Sequence, residues 1–307
     1  MPQTFYDVVW IFIIYAFIGW CSEVAYAALE RGIFVNRGFL NGPYCPIYGV
    51  GVLIVVVVLT PLKDNLLLLY AGSFLLTSVL EFITGYVMEK AFHNKWWDYS
   101  DKPFNIMGYV CLKFSILWGF ACSFIMLVIH PIIFGFIRMI PHILGVVLIV
   151  IIMVCFAVDL FVTVSTIIRF NKRLKLMNEI AAKLKVVSNE IGENVYENVM
   201  NALEKKEEFK DTHTELLDEL EVKKENISNT LQETKEKLSE AAEKAKLKKE
   251  QEELLNKYRL LYEKKNLISS RLMKAFPDMK SKDHNEILQK LKIKNLRKAS
   301  RRGKAYR

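Results

Sequence analysis

The sequence contains no GxxxxGK[ST], no GxSxG and no HExxH anywhere in its 307 residues. These absences remove nucleotide hydrolysis through a phosphate-binding loop, a nucleophile-elbow hydrolase and a helical zinc protease. Cysteine is sparse. Cys21, Cys45, Cys111, Cys122 and Cys155 show no CxxC spacing and four of them lie in apolar runs, which fits free thiols rather than a disulfide framework. Cys45 and His93 have no metal-ligand spacing, and neither a metal nor a cofactor is expected. Basic residues are missing before Arg31, so the first apolar run lacks a positive leader and reads as a retained helix, not a signal peptide. Proline is absent from 172 to 276, and acid is absent from 288 to 307.

The residues that remain divide sharply. Residues 5–168 are dominated by Ile, Val, Leu and Phe, in runs too long for a soluble core, whereas 169–307 are dominated by Lys and Glu. The sequence therefore predicts an all-α, polytopic membrane helix bundle with a long cytoplasmic helical or coiled-coil tail. About five spans are expected, near 5–29, 47–62, 66–88, 111–129 and 143–168. The second is short: as a helix it covers about 24 Å, below a hydrocarbon core of about 30 Å. Residues 131–140 are too short to span and read as an interfacial segment or a re-entrant turn. The net charge of +9 equals the nine Lys or Arg of 288–307.

Lys and Arg in the short loops set the expected orientation. Arg31 and Arg37, then Lys90, Lys95 and Lys102, lie on one side with Arg169, Lys172, Arg173 and Lys175; Lys63 and Arg138 lie on the other. The N-terminus is then outside a cell membrane, with both longer loops and the tail inside. In the tail, Leu217, Leu220, Ile227, Leu231 and Leu238 partly fill one heptad seam. Leu247, Leu254, Leu261 and Ile268 fill another, in a different register. Gly192 and Asn226–Asn229 are expected joints. The pattern suits self-association through the tail or a helical hairpin. Three domains result: a transmembrane domain over 1–168, a helical region 169–282 and a basic segment 283–307, the last opened by a capping box of Asp283 and Glu286.

Glu23–Gly51 and Glu81–Gly108 resemble each other: Glu30-Arg31, Phe34, Asn36-Arg37 and Phe39 answer to Glu89-Lys90, Phe92, Asn94-Lys95 and Trp96. This points to a tandem helix–loop–helix repeat, with a shared loop vocabulary of aromatics, Gly and Pro as the alternative. Glu23, Glu81 and Asp159 sit inside apolar spans, where an ionisable group is expensive and faces the bundle interior. Helical spacing puts each acid on a polar stripe: Tyr15, Gly19 and Tyr26 with Glu23; Ser73, Thr77 and Gly85 with Glu81; Thr163 and Thr166 with Asp159. With Asn36, Arg37, Lys95, Asp98, Asp101 and Asn105 from the loops, they describe a polar vestibule, or else helix locks. Arg37 suits a phosphate, a carboxylate or a lipid headgroup. Asp98 and Asp101 suit pairing with Arg37, Lys95 or Lys113, and Trp96, Trp97 and Tyr99 suit interfacial anchors or ligand stackers.

At NRGFLNGPYCPIYG (36–49) and WWDYSDKPFN (96–105) the sequence resembles the bacterial membrane proteins known as ABC-transporter type IV, or CmpB-like, permeases. Glu23, Glu81 and Trp118-Gly119 fit the same pattern, over roughly residues 1–168. The resemblance implies a multi-pass inner-membrane protein of permease type, and any ABC role then needs a separate ATPase subunit. Two other readings stay open: a membrane enzyme acting on lipid headgroups or isoprenoid phosphates, and a membrane-anchored coiled-coil scaffold. Membrane lipids are the expected partners throughout, and the basic end suits anionic lipid or RNA.

Overall fold

The computed structural model describes residues 2–191, 231–264 and 266–304, and these are nearly all helical. Helix α1 (Phe5–Arg31) opens on a capping box: the Thr4 hydroxyl accepts the Asp7 N–H, and the Asp7 carboxylate accepts the Thr4 N–H. It closes at Gly32, whose φ of 66° is the left-handed geometry that glycine adopts without a Cβ penalty. Pro46 occupies the first position of α2 (Pro46–Leu59), where its missing N–H costs nothing. Asn65 caps α3 (Leu66–Phe92) by accepting the Leu67 and Leu68 N–H groups.

Among the described residues, four helical runs are long and apolar enough to cross a membrane: Phe5–Arg31, Leu66–Phe92, Leu112–Met139 and His142–Ile191. The expected second span is the shorter apolar helix Pro46–Leu62, made of α2 and one 3-10 turn. Residues 131–140 are not a separate interfacial segment. Helix α4 (Leu112–Phe124) continues through a five-residue π turn, Ile125–Ile129, into α5 (His130–Met139). Pro131 explains that turn: proline lacks an N–H and crowds the carbonyl four residues earlier, and a widened turn just ahead of it gives the ring room. Helix α6 (His142–Ile191) has 50 residues, roughly 75 Å of helix.

Helix α1 packs on α2, α2 on α3 and α3 on α4. The apolar core gathers Trp10, Ile11 and Tyr15 of α1, Val55, Val56 and Leu59 of α2, Leu69 of α3 and Ile137 of α5. Outside this core the bundle is greasy: Val150, Val154, Val158 and Phe161 of α6 are exposed, as are Leu117 and Phe120 of α4. Such a surface is stable against lipid and would not be in water. Of the cysteines, Cys45, Cys111 and Cys122 are buried, while Cys21 and Cys155 are exposed.

The chain forms two compact units, one of residues 1–172 with 265–307 and one of 173–264. In the first, the loop after α3 carries β1 (Asn94–Lys95) and a hairpin of β2 (Asn105–Ile106) with β3 (Val110–Cys111). Strand β1 pairs antiparallel with β4 (Lys280–Ser281), and the residues from 265 on group with residues 1–172. They form α8 (Leu267–Ala275), capped by Asn266, and α9 (Asn285–Lys304). Asp283 does not open α9 in a capping box; it faces the His93 ring at 3.5 Å, and the approach to the helix is held by Ser281 and Asn285.

In the second unit, α7 (Leu231–Glu263) carries Leu247, Leu254 and Leu261 beside buried Gln251 and Tyr258. Ile268 does not extend that seam, because α7 ends at Glu263 and Asn266 caps a new helix. A second stripe of heptad spacing is buried on α6: Leu174, Met177, Ala181, Leu184, Ser188 and Ile191. Arg173 donates to the Tyr262 carbonyl at 3.3 Å, which brings the end of α7 to the start of that stripe. Leu217, Leu220, Ile227, Gly192 and Asn226–Asn229 lie outside the described residues.

Candidate functional site

Glu23 leaves the C-terminal half of α1 and meets two partners. The Tyr48 hydroxyl donates to its carboxylate at 2.6 Å, and Arg37 Nε lies 3.1 Å from the other oxygen. Tyr48 reaches it because α2 crosses α1 at Gly19: a Cβ there would sit 2.3 Å from Tyr48 Cγ. Arg37 also stacks on Tyr26 at 4.9 Å and lies 3.8 Å from Glu30. Its Nη1 is buried with no hydrogen bond.

Loop 1, residues 32–45, is built around two polar side chains. Asn36 Oδ1 accepts the Trp20 indole N–H at 2.8 Å and the Gly38 N–H at 3.1 Å, while its amide donates to the Asn41 carbonyl at 2.7 Å. Asp159, from α6, takes the other end of the loop. Its carboxylate accepts the Asn41 N–H at 3.1 Å, the Asn41 amide at 2.8 Å, the Gly42 N–H at 2.6 Å and the Thr163 hydroxyl at 3.1 Å. A carboxylate with four donors is satisfied as an anion; Asp159 holds the loop.

Loop 2, residues 93–111, has its own ionic knot. Lys95 Nζ lies 2.9 Å from Asp98, donates to the Met107 carbonyl and sits 5.0 Å from the Tyr109 ring centroid. Asp98 also accepts the Ser100 hydroxyl and Lys280 Nζ at 2.7 Å. Burial alone would raise the Asp98 carboxyl, but the donors from Lys280, Ser100 and Lys95 win and hold it well below the usual range. Asn105 donates to the Ser100 and Lys102 carbonyls and accepts the Gly108 N–H. Asp101 is exposed, with Lys280 nearby. Trp96 is buried against Phe39, Phe92 and Phe276, and so is neither an interfacial anchor nor a free stacking platform. Trp97 donates to the Tyr109 carbonyl.

Glu81 differs from the other two membrane acids. Its Oε2 is buried with no hydrogen-bond partner. Tyr99 of loop 2, stacked on Phe114, reaches the same carboxylate. Burial pushes the Tyr99 phenol well above its ordinary range; Glu81 adds to this directly and Glu23 at longer range. Tyr99 therefore feels both carboxylates. Higher on the same stripe of α3, the fully buried Ser73 hydroxyl is also without a partner.

Glu23 and Glu81 do not lie equally far from their helix ends. Helices α1 and α3 both have 27 residues and both end in a left-handed residue, Gly32 and His93. Aligning those ends shifts the second unit by 61 residues, whereas the sequence match of Glu30-Arg31 with Glu89-Lys90 shifts it by 59. Two residues are about half a helical turn, so the sequence match and the helix ends do not coincide. Glu81 lies 11 residues from its helix end and Glu23 lies 8, a difference of about one turn.

Sequence reasoning missed the groups that arrive from far along the chain. Arg271 of α8 donates to loop-1 carbonyls, Lys280 of β4 binds Asp98, and Arg31 donates to the Lys274 carbonyl at 2.9 Å. These contacts touch both loops, so both lie on one face of the bundle. Only Asn266 and Pro277, bracketing a nine-residue helix, hinted that the tail breaks there. Among the described residues no three metal-ligating side chains gather.

The family model for proteins described as "Putative ABC-transporter type IV" matches residues 10–164, just over half of the chain. The chain belongs to this family. The matched stretch contains every vestibule candidate, from Glu23 to Asp159, and the family's description makes the apolar helices those of a membrane protein. Arg271 and Lys280, which close over the loops, lie beyond the matched residues. No solved structure matches the chain.

Proposed function

We propose that the chain is the membrane-spanning component of a transporter, with a polar site opening to the inner face of a cell membrane, and that Glu81 is its proton- or cation-binding group. One observation carries this reading. Of the three acids inside apolar helices, Glu23 and Asp159 have their oxygens occupied by partners, while Glu81 keeps a buried oxygen open. A carboxylate is too costly in such a place to be left incomplete without a use, and a proton or small cation completes it. Glu23 with Arg37 and Tyr48 then forms the polar wall next to it. Orientation follows the basic loops: Arg31, Arg37, Lys95 and Lys102 put loops 1 and 2 inside, and the shared contacts of the C-terminal segment support a single inner face. The family description suggests a separate ATPase subunit, since this sequence carries no phosphate-binding loop of its own.

The test uses the purified full chain. Dicyclohexylcarbodiimide is an apolar reagent that captures a carboxyl in its protonated form. It should modify Glu81 and spare Glu23, which is paired with Arg37, and Glu81→Gln should be folded and unmodified. In liposomes, flux driven by a pH gradient should fall at least tenfold in Glu81→Gln. Preferential modification of Glu23, or full flux in the variant, would overturn the assignment.

A further inference from the structure

Loop 1 turns three backbone carbonyls toward one guanidinium. Arg271 Nη1 donates to the Gly38 carbonyl at 2.7 Å and to the Asn36 carbonyl at 3.4 Å; Nη2 donates to the Phe39 carbonyl at 2.9 Å. Other groups shape this cradle. The Asn36 side chain takes the Gly38 N–H and gives to the Asn41 carbonyl, and Asp159 takes the Asn41 and Gly42 N–H groups. With those inward-facing groups satisfied, the carbonyls of 36, 38 and 39 remain to face outward. Asp159 also lies within electrostatic reach of Arg271. Several carbonyls fixed around a planar cation, with a carboxylate behind them, make a receptor for guanidinium. An ammonium is a point charge and does not match a fork of this width.

The rest of the contact is dispersed, with Lys280 on Asp98 at 2.7 Å and Arg31 on the Lys274 carbonyl at 2.9 Å as its other polar ties. Strand β4 pairs with β1 over two residues, and His93 with Asp283 is exposed. Phe276 packs on Trp96, and Ala275 on Ala27 and Val35. Arg271 meets three loop carbonyls but is not fully satisfied there, because Nε is buried with no hydrogen bond. That deficit favours a reversible contact over a permanent one.

We propose that residues 36–39 form a guanidinium-binding site which the chain's own Arg271 fills, making residues 266–281 a releasable latch over loop 1. The site stands on geometry alone; that the latch covers a transport path rests on the function proposed above. Releasing Arg271 frees the carbonyls of 36, 38 and 39, while Asp159 still holds 41–42 and the Arg37 side chain still meets Glu23. Any guanidinium-bearing ligand or partner side chain would compete for the same carbonyls.

Hydrogen–deuterium exchange of the full-length protein reads the latch without any transport assay. In Arg271→Ala, the peptides covering 36–45 and 266–281 should both exchange at least tenfold faster than in wild type. Methylguanidinium at tens of millimolar should restore protection of 36–45 but not of 266–281, while methylammonium at the same concentration should not restore it. Arg271→Lys should lie near the alanine variant, and Arg271→Gln, which keeps two N–H donors, between it and wild type. Unchanged exchange of 36–45 in Arg271→Ala, or equal rescue by methylammonium, overturns the proposal. If Arg271→Ala is unfolded, the Lys and Gln variants decide alone, and a lysine variant as protected as wild type is the refuting result. Loss of flux in Glu81→Gln with intact guanidinium rescue would leave both proposals standing, and rescue without any flux would sink only the transport reading.

Discussion

A membrane acid is informative through the partners it lacks. Glu23, Glu81 and Asp159 look alike in the sequence, each on a polar stripe of an apolar helix, but the structure gives them different surroundings. Asp159 accepts four hydrogen bonds and Glu23 has a phenol and a guanidinium, whereas Glu81 has an open oxygen. The stripes were legible because helical periodicity is a property of a single segment. The partners were not, since Tyr48 comes from α2 and the Asn41 donors from a loop. Gly19 is a case where one position fixes such a partner. Because a Cβ there would lie 2.3 Å from Tyr48 Cγ and 2.4 Å from Tyr48 Cβ, both near the backbone, the ring cannot swing aside cheaply. Gly19→Ala is expected to cost about 1–3 kcal/mol by overpacking and to displace the Tyr48 hydroxyl from Glu23. Thermal unfolding of the solubilised protein, with Tyr48→Phe as the reference for loss of the hydrogen bond alone, checks it. A Gly19→Ala protein as stable as wild type would mean that the helices slide apart freely at that crossing.

At the scale of elements, the helices were readable and the loops were not. Apolar runs located α1, α3 and α6 to within a few residues at their N-terminal ends, and Pro46 marked the start of α2. Residues 131–140 are too short to span by themselves, but a π turn ahead of Pro131 joins them to α4 in one continuous run. Helix α3 runs four residues past the expected 88, to Phe92. Its polar last turn, Glu89-Lys90, carries no hydropathy signal, yet the Tyr109 hydroxyl fastens it by donating to Glu89 at 2.7 Å. Loop 1 depends on a carboxylate 118 residues away from Asn41, a distance no local pattern can report. Asp159→Ala should therefore loosen the loop and not merely remove a charge. It strands the Asn41 and Gly42 N–H groups and is expected to cost about 2–3 kcal/mol, with faster amide exchange at 41–42. Asp159→Asn, which keeps one acceptor oxygen, should lose less. Equal exchange in wild type and Asp159→Ala would show that the loop is held elsewhere.

For the molecule as a whole, the main departure from the sequence reading is the fate of the C-terminal segment. Its basic composition suits anionic lipid or RNA; in space, Lys292 and Lys294 of α9 are buried and the segment groups in one unit with residues 1–172. Lys292 shows how that packing is tuned. Its ammonium donates to the Pro277 and Met279 carbonyls, which ties α9 to the turn before β4. Burial pulls the Lys292 ammonium down to about 8 from an ordinary 10.5; the neighbouring Asp278 opposes this and Lys280 adds to it. The sign follows from proton counting. Between pH 8 and 10.5 the packed segment has released a proton that the unpacked segment still holds, so the unpacked state binds more protons and stability rises with pH across that window. Below pH 8 the full cost of burying the charge is present. Raising the pH from 8 to 10 should therefore stabilise the wild-type protein relative to Lys292→Met, whose side chain cannot titrate, by at most about 1.4 kcal/mol per pH unit. Thermal unfolding of both proteins across that range measures the difference directly, since other titrating groups are common to the two. A difference that is flat, or that falls with pH, would mean that Lys292 stays charged without penalty where it packs.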